Sequence, residues 1–314
     1  MKGTSTSDAL CLRITGEDGE ATATISTRAA SLRTLEVGGL ALVEPTSQMT
    51  DLSGMAGAVM APWPNRVEDA AWWYEGQRLQ LPANEPELSN AIHGLLTQND
   101  FEVRRRGIDF VQLTTEIDPQ PGYPFALEVD VRYRVHRDGL NARIEVTNRS
   151  ARVAPVAVGV HPYLRLGDVP LDRLHVSIDA DRVWQLDQRN LPSTSREVRG
   201  TDEDPWEPHL VAAGPEHALY RRSHVVGRAL VHALSANDGL AVELWAESRL
   251  PWTQLYVAPD LMTDEGPRRA VAIEPMSAPP NALRSGVDLH YLPRDGRRAW
   301  RWAIRLRQPE SRIL

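Results

Sequence analysis

Residues 127–146 read LEVDVRYRVHRDGLNARIEV. Leu127, Val129, Val131, Tyr133 and Val135 alternate with mostly polar residues, Asp138-Gly139 supplies a turn, and Leu140, Ala142, Ile144 and Val146 alternate back. A period of two on both arms, joined by Asp-Gly, predicts an antiparallel hairpin with one face buried. The same pattern recurs. Leu230 and its apolar neighbours lead through Asp238-Gly239 to Leu240, Val242 and Leu244. Ala71–Tyr74, Glu75-Gly76 and Arg78–Leu81 make a third hairpin, and Trp300, Trp302, Ile304 and Leu306 share one face of a final strand.

Shorter strands are expected at Ala9–Thr15, Ala21–Ser26, Val103–Arg106, Phe110–Thr115, Pro155–Val160, Leu174–Ile178, Thr253–Val257 and Val271–Glu274. Helical heptads are nearly absent, and 23 Pro and 21 Gly punctuate the chain. Many short strands with frequent turn residues predict an all-β protein, a sandwich or barrel. No fixed-period repeat is visible, which disfavours a propeller. The stretch Leu186–Pro215, rich in Pro and Gly, is expected to be an elaborated loop region. Strand patterning continues in the same style on both sides of it, so residues 1–314 are expected to form a single domain.

The 314 residues are 42% hydrophobic and 25% charged, an ordinary globular composition. The net charge is −7 and the basic residues are scattered Arg, with Lys2 the only lysine. That balance argues against nucleic acid as a partner, and Arg104–Arg106 is too short a run to change it. One cysteine, Cys11, rules out an internal disulfide and a Cys-rich metal site. The amino-terminal sequence MKGTSTSDALCLRITG lacks the apolar core of a signal peptide, and no run approaches ~18 apolar residues. A soluble cytoplasmic protein, monomer or homodimer, without a membrane partner is the expectation. Nine Trp and seven Tyr against three Phe suggest aromatic faces that are half wet.

Three Pro- and Gly-rich frames carry ionisable groups at expected strand ends. The first is Ala61-Pro62-Trp63-Pro64-Asn65-Arg66-Val67, followed by Asn90-Ala91-Ile92-His93-Gly94. The second is Gly159-Val160-His161-Pro162-Tyr163, and the third runs Ile273-Glu274-Pro275-Met276 to Pro279-Pro280-Asn281-Ala282. Singly, each has a bland alternative: a turn residue, a strand end, an edge charge or a surface arginine. As an ordered set, Asn-Arg, His-Gly, His-Pro-Tyr and Glu-Pro-Met…Pro-Pro-Asn-Ala, they resemble the aldose 1-epimerase (galactose mutarotase) family. The resemblance spans about Leu32 to Leu306. Two places depart from it. Glu216 is the nearest match to an Asp that contacts sugar hydroxyls in the family, and Leu292-Pro293-Arg294-Asp295-Gly296 replaces a Pro-Gly turn.

The resemblance implies a large antiparallel β-sandwich of the galactose mutarotase type, a supersandwich, acting on a free monosaccharide such as glucose or galactose. It also implies roles. Glu274 would be the base at the C1 hydroxyl, His161 the acid at the ring oxygen, and His93 a hydrogen-bond partner near that oxygen. Arg66 and Asn65 would bind the sugar, and Glu216 would stand in for the family's Asp. Trp63, inside the first motif, is the expected apolar platform for the sugar, ahead of Trp72, Trp73, Tyr74, Trp206 and Trp252. Opening and reclosing a hemiacetal oxidises nothing and transfers nothing, so no cofactor or metal is expected. His93, His161 and Glu274 would also suit a two-His, one-carboxylate metal site, but closely spaced ligand pairs are lacking. The alternatives are a hexose-6-phosphate 1-epimerase, which needs further cationic groups for the phosphate, and a non-catalytic sugar-binding protein on the same fold.

Overall fold

The hairpin at residues 127–146 is the centre of a wide sheet. In the computed structural model, which describes residues 11–16, 19–47, 52–223 and 227–309, Leu127–His136 pairs with Gly139–Asn148 over its full length. The two-residue turn is Arg137-Asp138, one position earlier than the Asp-Gly pattern suggests. Gly139 already belongs to the return strand, at φ +154°, and a Cβ there would lie 2.0 Å from the Ile304 carbonyl oxygen. The glycine thus serves the approach of the final strand rather than the bend. Ala9 and Leu10 of the first expected strand, Lys2 and the amino-terminal segment lie outside the described residues.

Among the described residues, two large antiparallel sheets dominate. The nine-stranded sheet runs Glu102–Arg106, Phe110–Ile117, Leu127–His136, Gly139–Asn148, Arg297–Arg307, Ala241–Ala246, Leu230–Ser235, His175–Ser177, His209–Leu210. The eight-stranded sheet runs Pro192–Glu197, Arg182–Leu186, His217–Arg221, Trp252–Thr263, Gly266–Met276, Gly159–Val160, Val59–Met60, with Tyr163–Leu164 also paired to Gly266–Met276. A four-stranded sheet of Cys11–Thr15, Ala21–Ser26, Leu32–Val37 and Leu40–Ala41 completes the framework. The fold is a β-sandwich. Its longest helix is the four-residue Ala282–Ser285, so no helix is long and apolar enough to cross a membrane among the described residues.

Alternation decides what each sheet buries. Val129, Val131 and Tyr133 of the first sheet share one apolar cluster with Leu255, Val257, Val271 and Ile273 of the second. Removing that much apolar surface from water, at ~25 cal/mol per Å², is the main stabilising term. Trp300 and Trp302 join the same cluster from the final strand. Because successive strand side chains point to opposite faces, burying Ile273 and Leu255 puts Glu274 and Gln254 on the other face of the sheet. The Leu186–Pro215 stretch is not only loop. Arg182–Leu186 and Pro192–Glu197 form a hairpin on the edge of the eight-stranded sheet, and His209–Leu210 ends the nine-stranded one.

Candidate active site

The polar face of the eight-stranded sheet is the floor of a cleft of about 400 Å³. Glu274 stands opposite Gln254, Tyr256 opposite Ala272, and His217 opposite Tyr256, so these side chains share one surface. Tyr163 pairs with Ala272 from the other flank. His161 follows directly on Gly159–Val160. Its backbone is pinned on both sides: its N–H donates to Ala58 O (3.1 Å) and its carbonyl accepts from Gly57 N (2.9 Å). Gly159 is required for this approach, since a Cβ would sit 2.8 Å from Met60 Cε and from Pro64 Cβ.

The walls come from two loops stitched together. Arg66–Val67 pairs with Ala91–Ile92, His93 N donates to Asn65 O (3.0 Å), and Leu95 N donates to Ala61 O (2.8 Å). Asn65 takes a left-handed conformation at φ +53°, and its Oδ1 accepts from Arg66 N (2.9 Å). Asn and Asp tolerate that region because a short polar side chain can satisfy the backbone locally. Gly94 is obligatory: at φ +75°, a Cβ would lie 2.2 Å from Ala61 O. The Pro-Pro-Asn-Ala motif holds the same wall from behind. Asn281 N donates to Arg66 O (2.6 Å), and Asn281 Oδ1 accepts from Glu68 N (3.1 Å). The sequence motifs are therefore partly scaffolding for one another.

Glu274, His161, His93, Arg66 and Asn65 all line this cleft. His161 Nε2 lies 3.4 Å from Glu274 Oε1, and the His93 ring meets His161 edge-on at 5.3 Å between centroids. Glu274 Oε2, His161 Nδ1 and His93 Nδ1 are buried with no hydrogen-bond partner in the protein. Buried polar atoms are almost always paired, so an unpaired set facing a cleft marks a place where a polar ligand completes the network. Burial pushes the Glu274 carboxyl up to about 8, against the opposing pull of Arg66. Burial lowers His161 to about 4, with Arg66 adding to the effect. His93 is held well below its ordinary value by burial, then by His161 and Arg66. Two groups whose environments drive their proton affinities apart form a pair that keeps one proton across the neutral range.

Two expected contacts are not in the cleft. Trp63 is 2% exposed and packs in the core against Tyr123, so it cannot present a face to a ligand. None of Trp72, Trp73, Tyr74, Trp206 and Trp252 is among the lining residues; Tyr163 and Tyr256 supply the aromatic rings instead. Glu216 has a side chain 76% exposed and pairs with Arg269 at 3.5 Å. The alternation that aims His217 into the cleft turns its neighbour Glu216 away from it.

Other residues escaped the sequence reading. Glu85 grips Arg66 in a two-point fork: Nη2 donates to Oε1 (2.7 Å) and Nε to Oε2 (2.9 Å). Asn90 Nδ2 donates to Glu85 Oε2 (2.9 Å), and Arg189 Nη2 donates to Asn90 Oδ1 (3.0 Å). Arg189 thereby ties the tip of the Arg182–Glu197 hairpin to the cleft wall and brings Asn190 into the lining. Gln254 donates to Ala218 O (2.8 Å) and leaves its Oε1 buried and unpaired, directly across from Glu274. The missed signal for Glu85 is a carboxylate in a Pro-rich loop between two motifs. For Gln254 it is a polar residue on the non-core side of a strand.

Comparison with known proteins gives a consistent outcome. The aldose 1-epimerase family description matches residues 12–304. The uncharacterized protein YihR of Escherichia coli (strain K12) is 33% identical over 273 residues, covering 86% of this chain and 85% of that protein. Among solved structures, the GalM/aldose epimerase homologue from C. elegans superimposes with a TM-score of 0.83 at 17% identity, covering 96% of this chain and 100% of that one. Galactose 1-epimerase from Lactobacillus acidophilus gives 0.78 at 16% identity, covering 99% and 98%. A galactose mutarotase-like protein from Clostridium acetobutylicum gives 0.82 at 19%, covering 95% of each chain. At those identities the solved structures establish the fold, and the match along nearly the whole sequence establishes the kinship. The chain belongs to the aldose 1-epimerase family.

Proposed function

We propose that this protein interconverts the α and β anomers of a free aldohexose, glucose or galactose, by general acid–base ring opening and reclosure in the Glu274–His161 cleft. The observation that carries this reading is the pair itself. A carboxyl and an imidazole sit 3.4 Å apart, both buried, and the second carboxyl oxygen lacks a hydrogen-bond partner. Ring opening needs one group to take the C1 hydroxyl proton while another gives a proton to the ring oxygen O5.

Burial alone holds one proton on Glu274 and leaves His161 neutral. A bound sugar reverses the preference. The C1 hydroxyl donates to the carboxylate and O5 accepts from the imidazolium, so the substrate supplies the hydrogen bonds that the charged forms lack in a dry site. Glu274 then withdraws the C1 hydroxyl proton as His161 delivers its own to O5. The C1–O5 bond breaks and a free aldehyde forms. Rotation about C1–C2 exposes the other carbonyl face, and the same two groups reverse roles to close the ring. His93 hydrogen-bonds near O5, and Arg66 binds hydroxyls and stabilises charge developing on oxygen.

Arg66 also bears on the choice between a free sugar and a sugar phosphate. Its Nε and Nη2 are already committed to Glu85, which neutralises the charge a phosphate would need. The test is polarimetry of freshly dissolved α-glucose, α-galactose and glucose 6-phosphate. The expected result is acceleration of a free hexose well beyond that of the phosphate. Acceleration of none of them supports a sugar-binding protein instead.

A further inference from the structure

The outer face of the nine-stranded sheet, turned away from the cleft, carries a row of charges that the fold does not need. Arg132 stands directly opposite Arg143, and Arg143 directly opposite Arg301, on three adjacent strands. The neighbouring row of Val131, Ile144 and Trp300 is buried, so alternation turns all three guanidinium groups to solvent. Like charges facing one another across strands weaken a sheet, and here two such pairs adjoin. A row that costs stability and serves no packing calls for a ligand.

The row borders a concavity of about 510 Å³. The next row along the strands is Arg134, Asn141, Ala303 and Trp245, each opposite the one before. The small Ala303 lowers the floor between Asn141 and Trp245, and Trp245, 39% exposed, stands as a wall diagonal to Arg301. Its Nε1 donates to Glu243 Oε2 (2.9 Å), which fixes the indole. Charge narrows the ligand class. Arg132, Arg134, Arg143 and Arg301 line the concavity, with Glu247 as the one carboxylate in the lining. Glu145 pairs with Arg143 and Asp109 with Arg134, while Glu247 lies 3.6 Å from Arg301 and is shared with Arg249. Among the described residues no carboxylate pairs with Arg132, whose guanidinium lies over the Phe110 ring at 5.0 Å. Positive charge is therefore left over, on a chain whose net charge is −7.

We propose that this outer face binds a nucleoside polyphosphate, with its phosphate chain along Arg132, Arg143 and Arg301 and its base against Trp245. Arginine is the side chain whose fork of N–H donors matches phosphate oxygens. Neighbouring strands lie ~4.8 Å apart, so the row spans about 10 Å, longer than one phosphate and suited to a chain of them. The exposed indole at the Arg301 end offers a flat apolar face to an aromatic ring. The site shares no lining residue with the Glu274–His161 cleft and stands independently of the reaction proposed there.

The test is titration calorimetry with ATP, tripolyphosphate and adenosine in metal-free buffer. ATP should bind saturably with Kd below about 1 mM at low salt and weaken as salt rises. Tripolyphosphate should bind less tightly, and adenosine least. Arg143→Gln and Arg301→Gln should each weaken ATP about tenfold, the scale of one charge-assisted contact. Trp245→Ala should weaken ATP and leave tripolyphosphate unchanged. Arg132→Gln relieves repulsion and breaks no ion pair, so it should weaken ATP without lowering the thermal midpoint. A lowered midpoint with unchanged ATP affinity would mark the row as structural and overturn the site. Absence of saturable ATP binding, or ATP binding that survives Arg143→Gln with Arg301→Gln, likewise overturns it. Equal affinity for tripolyphosphate and ATP, with no effect of Trp245→Ala, overturns the nucleoside assignment.

Discussion

Glu274 sits where water scarcely reaches it, and its carboxyl holds a proton up to about pH 8 as a result. The proposed mechanism needs one proton on the Glu274–His161 pair, and the two macroscopic limits follow. The rate should fall as pH rises through about 8, where both groups are deprotonated, and as pH falls through about 4, where both are protonated. A pH–rate profile with a single limb near the ordinary histidine value of ~6.5 would contradict this assignment. The same burial has a stability consequence. The folded-state value of Glu274 is raised, so its contribution is fully present below the unfolded value of ~4.5 and is lost as pH rises through about 8. Glu274→Gln should therefore melt no lower than the wild type above that pH, even though the proposed mechanism makes it inactive. At Arg66 the account is equally specific. Glu85→Gln removes the carboxylate fork and should raise KM for hexose by about tenfold, the scale of one charge-assisted hydrogen bond of ~1.5 kcal/mol. An unchanged KM would mean that the fork does not orient Arg66 for binding.

At the scale of elements, the sequence was most legible where period two was longest. The 127–146 hairpin and the final strand with Trp300 and Trp302 are in place because alternation plus burial admits one register. The turn lies one residue earlier than the Asp-Gly pattern predicts because Gly139 answers to Ile304 of a neighbouring strand, which local turn chemistry cannot reveal. The hairpin of Arg182–Leu186 and Pro192–Glu197 was hidden for a related reason. Its residues are mostly half-buried or exposed at a sheet edge, so no apolar stripe announces it. The short helix at Ala282–Ser285 also has a role its size does not suggest. Asn281, in the left-handed region at φ +67°, anchors both Arg66 O and Glu68 N. Asn281→Gly keeps the backbone conformation and deletes the side chain's two contacts with Glu68, the acceptor for its N–H and the Nδ2 donor to its carboxylate. It should cost about 1 kcal/mol in urea unfolding; a variant of unaltered stability would contradict that role.

Across the molecule, five histidines among the described residues are held from ionisation. His161, His217, His232 and His290 are lowered to about 4, and His93 is held well below its ordinary value, each chiefly by burial. Their depressed values mean that the contribution of these rings to stability is fully present above ~6.5 and is lost as pH falls towards about 4. The thermal midpoint should drop between about pH 7 and about pH 4.5; a flat profile would contradict the burial of these rings as neutral bases. The site as a whole was legible only through motif order. Asn65, Arg66, His93, His161 and Glu274 come from four separate segments that converge on one sheet face, and spacing alone could not unite them. Trp63 misled because its motif neighbours face the cleft while its own ring packs inward, and Glu216 misled because strand alternation hands its place to His217. The most direct test of the central claim is the optical rotation of freshly dissolved α-glucose or α-galactose with wild-type protein and with Glu274→Gln. The expected result is rapid equilibration with the wild type and the spontaneous rate with the variant, which still binds the sugar by titration calorimetry. A variant that equilibrates the sugar at the wild-type rate would contradict it.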